Sequence, residues 1–186
     1  MRLISEASSF HTAIFDALCS CLNLSAAEGI KLIHEAYAEP ENVPRPPRNR
    51  NVIYWTVLQD PSPDSAASAW ANETGGVDCH TPVVCSTLKY QLVIVCYGPV
   101  CEEYAWRIRQ MLFLDGSGCP RQILRTAGIY PVPDPTQPSI LHEEEGSLWR
   151  RRADLTVSLR VRDEVRAQER GSVTTAPAVI LHHYEL

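Results

Sequence analysis

YQLVIVCYGPVCEEYAWRIRQMLFL, residues Tyr90–Leu114, contains the change of hydrophobic period on which the reading of the whole chain turns. Leu88, Tyr90, Leu92, Ile94 and Cys96 alternate with their neighbours, which is the two-residue repeat of a strand. Gly98-Pro99 interrupts that strand, and from there Val100, Tyr104, Ile108, Met111 and Leu112 fall on one helical stripe. Glu102 and Glu103 occupy the first turn, where the positive end of the helix dipole favours acids, and Arg107 and Arg109 come later. The segment reads as strand, turn and helix. A helix N-terminus attracts phosphate, but Pro99 removes one amide and two glutamates fill the first turn, so the turn is structural rather than a nucleotide site.

On the N-terminal side, Phe10, Ile14, Leu18 and Cys21/Leu22 give Ser8–Leu22 helical spacing. Ser25-Ala-Ala-Glu28 is a capping box, and Ile30, Ile33 and Tyr37 continue an apolar face, so N-terminal helices are expected over residues 8–37. Pro40, Pro44, Pro46 and Pro47 make Glu39–Arg50 a stiff extended connection. Asn51–Gln59, NVIYWTVLQ, is β-branched or aromatic on both faces and predicts an inner strand covered on two sides. Asp60–Pro82, with Pro61, Pro63, Gly75-Gly76 and many small residues, predicts a long loop or a protruding hairpin arm, and a candidate contact arm.

Beyond the central segment, Asp115–Pro120 reads as a turn, and a short strand is expected around Ile123-Leu124 or Ile129-Tyr130. Pro131, Pro133, Pro135 and Pro138 stiffen the next connection, which leads into Glu143-Glu144-Glu145 and Arg150-Arg151-Arg152. Ala153, Leu155, Val157, Leu159 and Val161 then alternate with polar residues, predicting a strand with one core face and one wet face. Arg166–Gly171 is a polar turn and Ala178–Tyr184 a last strand.

A chain of 186 residues with 45% hydrophobic content supports one globular domain over residues 1–186. Its net charge of -5 argues against a phosphate-tracking nucleic-acid binder and suits a surface past which DNA slides. No charged-then-apolar leader opens the sequence and no aliphatic run is long enough to span a bilayer, so a soluble cytoplasmic product is expected, with no membrane partner. Seven cysteines without a C-x-x-C pair encode neither a disulfide framework nor a zinc ribbon, and most are expected to be free thiols.

Catalytic chemistry has little support. There is no G-x-S-x-G, and Cys79-His80 with Cys85 and His182-His183 has no specific metal-ligand spacing. Glu143, Glu144 and Glu145 are consecutive, so as acid-base or magnesium ligands they would diverge; followed by Arg150, Arg151 and Arg152, they fit a solvated or intersubunit charge patch. No catalytic residue, cofactor or metal is therefore assigned. Trp106 and Phe113, seven apart, make a second apolar stripe opposite Tyr104, Ile108 and Met111, with Arg109 on the same side. Such a stripe is covered either by a proline-rich loop of the same chain or by a second subunit. The candidate subunit interface is thus Trp106, Arg109, Phe113, Glu143, Glu144, Glu145, Arg150, Arg151 and Arg152.

Two short N-terminal helices, a proline-rich link, NVIYWTVLQ, a long loop, LKYQLVIVCYGPVCEEYAWRIRQML and HEEEGSLWRRRADLTVSLRV follow one another in an order that resembles the neck or tail-terminator proteins of tailed bacteriophages. The resemblance runs from about Phe10 to Tyr184, with its best local matches at Tyr97-Gly98 and at Glu145 followed by Trp149-Arg151. It implies an α+β subunit, a mostly antiparallel sheet packed by helices, that forms a ring, typically hexameric, at the head-proximal end of the tail. It also implies a virion protein that ends the tail tube, meets the tail tube protein and the head-tail connector or adaptor proteins, lets genomic DNA through its lumen, and is assembled in the host cytoplasm. The segment 60–82 and the cysteine content have no counterpart in that pattern. The rival readings are a small metal-dependent phage enzyme or nuclease accessory using residues 143–145, and an assembly adaptor absent from the virion.

Overall fold

The computed structural model describes residues 5–36, 49–60, 66–74, 80–133, 136–145 and 148–166. Its elements are α1 (Ser5–Leu22), α2 (Ala26–Leu32), β1 (Ile33–Glu35), β2 (Val52–Gln59), β3 (Ala66–Thr74), β4 (His80–Tyr97), α3 (Cys101–Leu112), α4 (Pro120–Thr126), β5 (Ile129–Pro131), β6 (Ser139–Glu145) and β7 (Leu148–Arg166). The seven strands form one sheet in the order β1-β2-β4-β7-β5, with β3 beside β4 and β6 beside β7. Every pairing is antiparallel except β1 with β2. The fold is α+β, as the sequence predicts.

The period change at Gly98 is realised as read. β4 buries Leu92, Ile94 and Cys96, and Gly98 turns the chain with φ of 110°. A side chain there would be strained by that φ and would meet the Arg50 carbonyl and Asn51 Cα, each 2.8 Å from a Cβ. Asn51 Oδ1 accepts a hydrogen bond from the Val100 amide at 3.2 Å, so the start of β2 satisfies one of the open amides of α3. The helix itself is rotated from the predicted stripe. Cys101, Ala105, Ile108 and Leu112 are fully buried, whereas Tyr104 and Met111 lie half-buried at the edges. Two small residues against the sheet let the helix axis come close, and weighting the larger side chains misses that.

α1 and α3 lie against the face of the sheet that carries Ile53, Trp55, Leu92, Ile94, Leu155 and Val157, and α4 packs on α1 beside β5. β7 shows the expected alternation, with Ala153, Leu155, Val157 and Leu159 buried and Asp154, Thr156 and Ser158 only partly so. Burying Leu155, Val157 and Leu159 contributes about 1.5–3 kcal/mol each, so the β4–β7 pair with its helices is a large source of stability. α1 ends at Asn23, whose φ of 56° is the left-handed C-terminal cap that asparagine tolerates. The capping box of α2 is present, with Ser25 N–H donating to Glu28 Oε2 at 2.9 Å.

Several elements differ from the sequence reading. α2 stops at Leu32, and Ile33–Glu35 leaves the helix to pair in parallel with Ile53–Trp55 as β1; Ile30 is exposed, so the apolar face does not continue. β2 is inner, but only Val52, Ile53 and Trp55 are buried while Leu58 and Gln59 are exposed, because the described helices lie on one face of the sheet. Of the two places expected for a short strand, Ile129-Tyr130 forms it, as β5, whereas Ile123-Leu124 belongs to α4, started by Pro120 at its first turn. The acidic run is part of strand β6. The segment 60–82, expected as a long loop or a hairpin arm, holds the β3–β4 hairpin, Ala66 opposite Leu88 to Thr74 opposite His80, and so takes the second of those forms. The Glu39–Arg50 connection lies mostly outside the described residues, and the expected strand Ala178–Tyr184 wholly so, together with Tyr37, Cys79 and His182-His183.

Cys19, Cys21, Cys96, Cys101 and Cys119 are free thiols, all but Cys119 buried. Among the described residues no single helix is long and apolar enough to cross a membrane.

Candidate functional site

The charged residues singled out in the sequence meet where β4 ends and the β6–β7 hairpin begins. Glu145 faces Leu148, so the hairpin register places Glu143 opposite Arg150, His142 opposite Arg151 and Leu141 opposite Arg152. The next strand places Tyr97 opposite Arg152. Because side chains alternate along a strand, Tyr97, Glu143, Arg150, Arg152 and Asp154 share the face of the sheet turned away from α1 and α3.

On that face Tyr97 is the hub. Its hydroxyl donates to Glu143 Oε2 at 2.9 Å, its ring meets Tyr54 edge-on at 6.1 Å, and the Arg150 guanidinium lies 4.4 Å from its centroid. Burial pushes the Tyr97 phenol up to about 12, helped by the bond to Glu143, which holds the proton in place. Arg152 grips Asp154 with both Nε and Nη2, at 2.6 and 2.7 Å, and also reaches Glu143 at 3.4 Å. That two-point contact raises the arginine's pKa further above its ordinary value. Arg150 is the buried charged residue of the described chain, only 8% exposed, and its Nε and Nη2 have no hydrogen-bond acceptor. Arg151 points to the opposite face and pairs with Glu102 in the first turn of α3, which ties the hairpin to the helix.

The acids do not converge. Glu143 is committed to Tyr97 and Arg152, while Glu144 lies on the other face and is exposed. The side chain of Glu145 lies outside the described residues. The α3 stripe is separate from this cluster. Phe113 packs partly against the core, Trp106 is half-buried, and the Arg109 guanidinium sits 5.8 Å from the Trp106 ring. Arg109 Nε donates to the Thr136 carbonyl at 2.7 Å, so the proline-rich connection after β5 reaches this helix. Sequence reasoning missed Tyr97 and Asp154, the in-chain partners of the arginines, and also Trp149, which is 66% exposed. Trp149 carried a usable signal as a lone tryptophan among arginines at the start of an alternating strand.

The sequence pattern of the phage neck terminator protein family matches residues 11–182, which takes in every described element apart from the first turns of α1. The chain belongs to this family. No individual curated protein matches the sequence. Membership makes the chain a structural protein of the bacteriophage neck, located in the virion, whose neighbours are other phage head and tail proteins.

Proposed function

We propose that this neck terminator forms a closed, sixfold ring at the head-proximal end of the tail, where it stops growth of the tail tube and joins tail to head connector. The family match over residues 11–182 is the observation that carries this reading. A sheet covered by described helices on one face supports it, since Leu58, Tyr130 and Leu141 on the opposite face are exposed to partners. The ring contacts itself, the tail tube protein and the connector or adaptor proteins. Genomic DNA passes its lumen without sequence-specific binding, in keeping with the net charge of -5. Assembly takes place in the host cytoplasm. The proposed subunit interface includes Trp106, Arg109 and Phe113 on α3 and the Glu143–Arg152 hairpin. The Glu143 carboxylate is held by a tyrosine and an arginine, which favours a structural over a metal-dependent role for that segment.

Light scattering and electron microscopy of the purified chain test the reading. Wild type is expected as closed rings, and the Trp106→Ser, Phe113→Ser double variant as folded subunits that no longer close. A wild type that stays monomeric at every concentration refutes the ring; a double variant that still closes removes α3 from the interface.

A further inference from the structure

The open edges of the sheet differ in length and in what they carry. β1 and β5 are three residues each, and β6 closes with three consecutive acids. The part of β2 that β1 leaves uncovered, residues 56–59, is four residues long. Beyond the stretch paired with β5, residues 162–166 of β7 include four charged residues in five. Shortness and charge are the devices by which folded proteins keep a sheet edge from recruiting a strand. β3 has neither. It is nine residues long, holds a single charged residue, Glu73, and no proline, and among the described residues it pairs with β4 alone. The backbone groups along its outer side need partners, and an extended backbone of similar length supplies them.

We infer that residues 178–184 of the same chain, AVILHHY, dock along the open edge of β3 as an antiparallel strand. Val179, Ile180 and Leu181 follow one another there, with no proline, acid, lysine or arginine in the segment, which is strand composition. The segment lies outside the described residues, yet the family match runs to residue 182, so most of it belongs to the pattern the family shares. Direction and reach agree. β7 ends at Arg166, on one rung with Val83 and Ala71. β3 and β7 are both antiparallel to β4 and so run the same way; a chain that turns back after β7 meets β3 antiparallel. Residues 167–177, eleven in number, reach about 36 Å, whereas the open side of β3 is three strand spacings from β7, about 14 Å. That short tether holds the segment near β3 at about millimolar effective concentration, which favours it over a strand from a second copy. Docked there, it guards the long edge of the sheet against pairing with other strands while subunits assemble.

Residue-resolved amide hydrogen exchange of the full chain, as wild type, Ile180→Pro and Ile180→Ala, tests this. Successive amides of a strand point to opposite sides, so with β4 as the one neighbour only every second β3 amide is protected. Wild type is expected to protect both sets. Ile180→Pro removes a donor and breaks the added strand; it is expected to speed exchange of the set turned away from β4 by about a hundred-fold and to leave the set bonded to β4 unchanged. Ile180→Ala keeps the backbone donor and is expected to retain protection of both. A wild type whose outward amides exchange freely overturns the docking, as does an Ile180→Pro variant that keeps them protected. Protection that rises with protein concentration gives the edge to a second copy and overturns the same-chain assignment. Loss of β4 and β7 protection in Ile180→Pro makes the segment part of the core and overturns an edge role.

Discussion

Replacing Gly98 by alanine puts a methyl group where the backbone has no room for one. The added Cβ would sit 2.8 Å from the Arg50 carbonyl and from Asn51 Cα, and 2.5 Å from Asn51 Oδ1. The amide end of Asn51 can swing away, but that move gives up the hydrogen bond to the Val100 amide; the two backbone atoms cannot move without shifting the start of β2. A φ of 110° on a residue with a side chain costs about 1–3 kcal/mol. The overpacking adds about 1–3 kcal/mol, and the lost bond about 1 kcal/mol. The total, about 3–7 kcal/mol, is a large part of the 5–15 kcal/mol that stabilises a typical domain, and lowers the melting midpoint by roughly 6–28 °C for a chain of this size. Urea unfolding followed by far-ultraviolet circular dichroism measures it, with Asn51→Ala as the control that isolates the hydrogen bond at about 1 kcal/mol. A Gly98→Ala variant within 1 kcal/mol of wild type would show that the turn relaxes freely and that the close approach of β2 is not what fixes the strand-to-helix corner.

Two further outcomes concern titration and thiols. The Tyr97 phenol is raised from 10 to about 12, so the unfolded chain loses that proton first; the corresponding stability is fully present below pH 10 and declines as the pH rises towards 12. The buried thiols of Cys21 and Cys96, raised from 9 to about 12, act in the same direction from pH 9 upward, so Tyr97→Phe is expected to flatten only part of the alkaline fall in melting midpoint. With a thiol-reactive disulfide reagent at pH 8, Cys119 is expected to react ahead of the buried Cys21 and Cys96 in the native protein; reductant leaves the midpoint unchanged, and labelling of Cys96 as fast as Cys119 would contradict its burial.

The elements legible in the sequence are those whose partners lie on one consistent face. β7 announces itself because Ala153, Leu155, Val157 and Leu159 all face the helices, and α1 because Ile14, Leu18, Cys21 and Leu22 do. β6 is invisible to periodicity: Ile140 and Leu141 are adjacent, the rest is polar or acidic, and the strand exists because β7 pairs with it. β1 hides for a related reason. Ile33 lies three residues after Ile30 and continues a helical count, yet its place is decided by Ile53, twenty residues away and parallel. Pro120 is the sequence sign of α4, because proline favours a helix's first turn, although in the sequence it equally closes the turn Asp115–Pro120. The charge cluster was visible as composition, but its wiring was not. Register decides that Arg152 finds Asp154, Arg151 finds Glu102 and Arg150 finds an aromatic face, and register is a property of the folded hairpin.

β4 and β7 are paired without interruption from Val83 opposite Arg166 to Tyr97 opposite Arg152. Eighteen residues of β4, at about 3.3 Å each, span roughly 60 Å, whereas a compact chain of this length has a radius of gyration of about 16 Å. The two strands therefore act as a two-ply strap. Tension applied to both strands at the far end runs along both covalent backbones. Over the outer part, bending out of the plane is opposed by a sheet on which no described helix packs. Such a member is stiff in stretch and compliant in flexure, able to follow a moving neighbour while still transmitting pull to the body that anchors it.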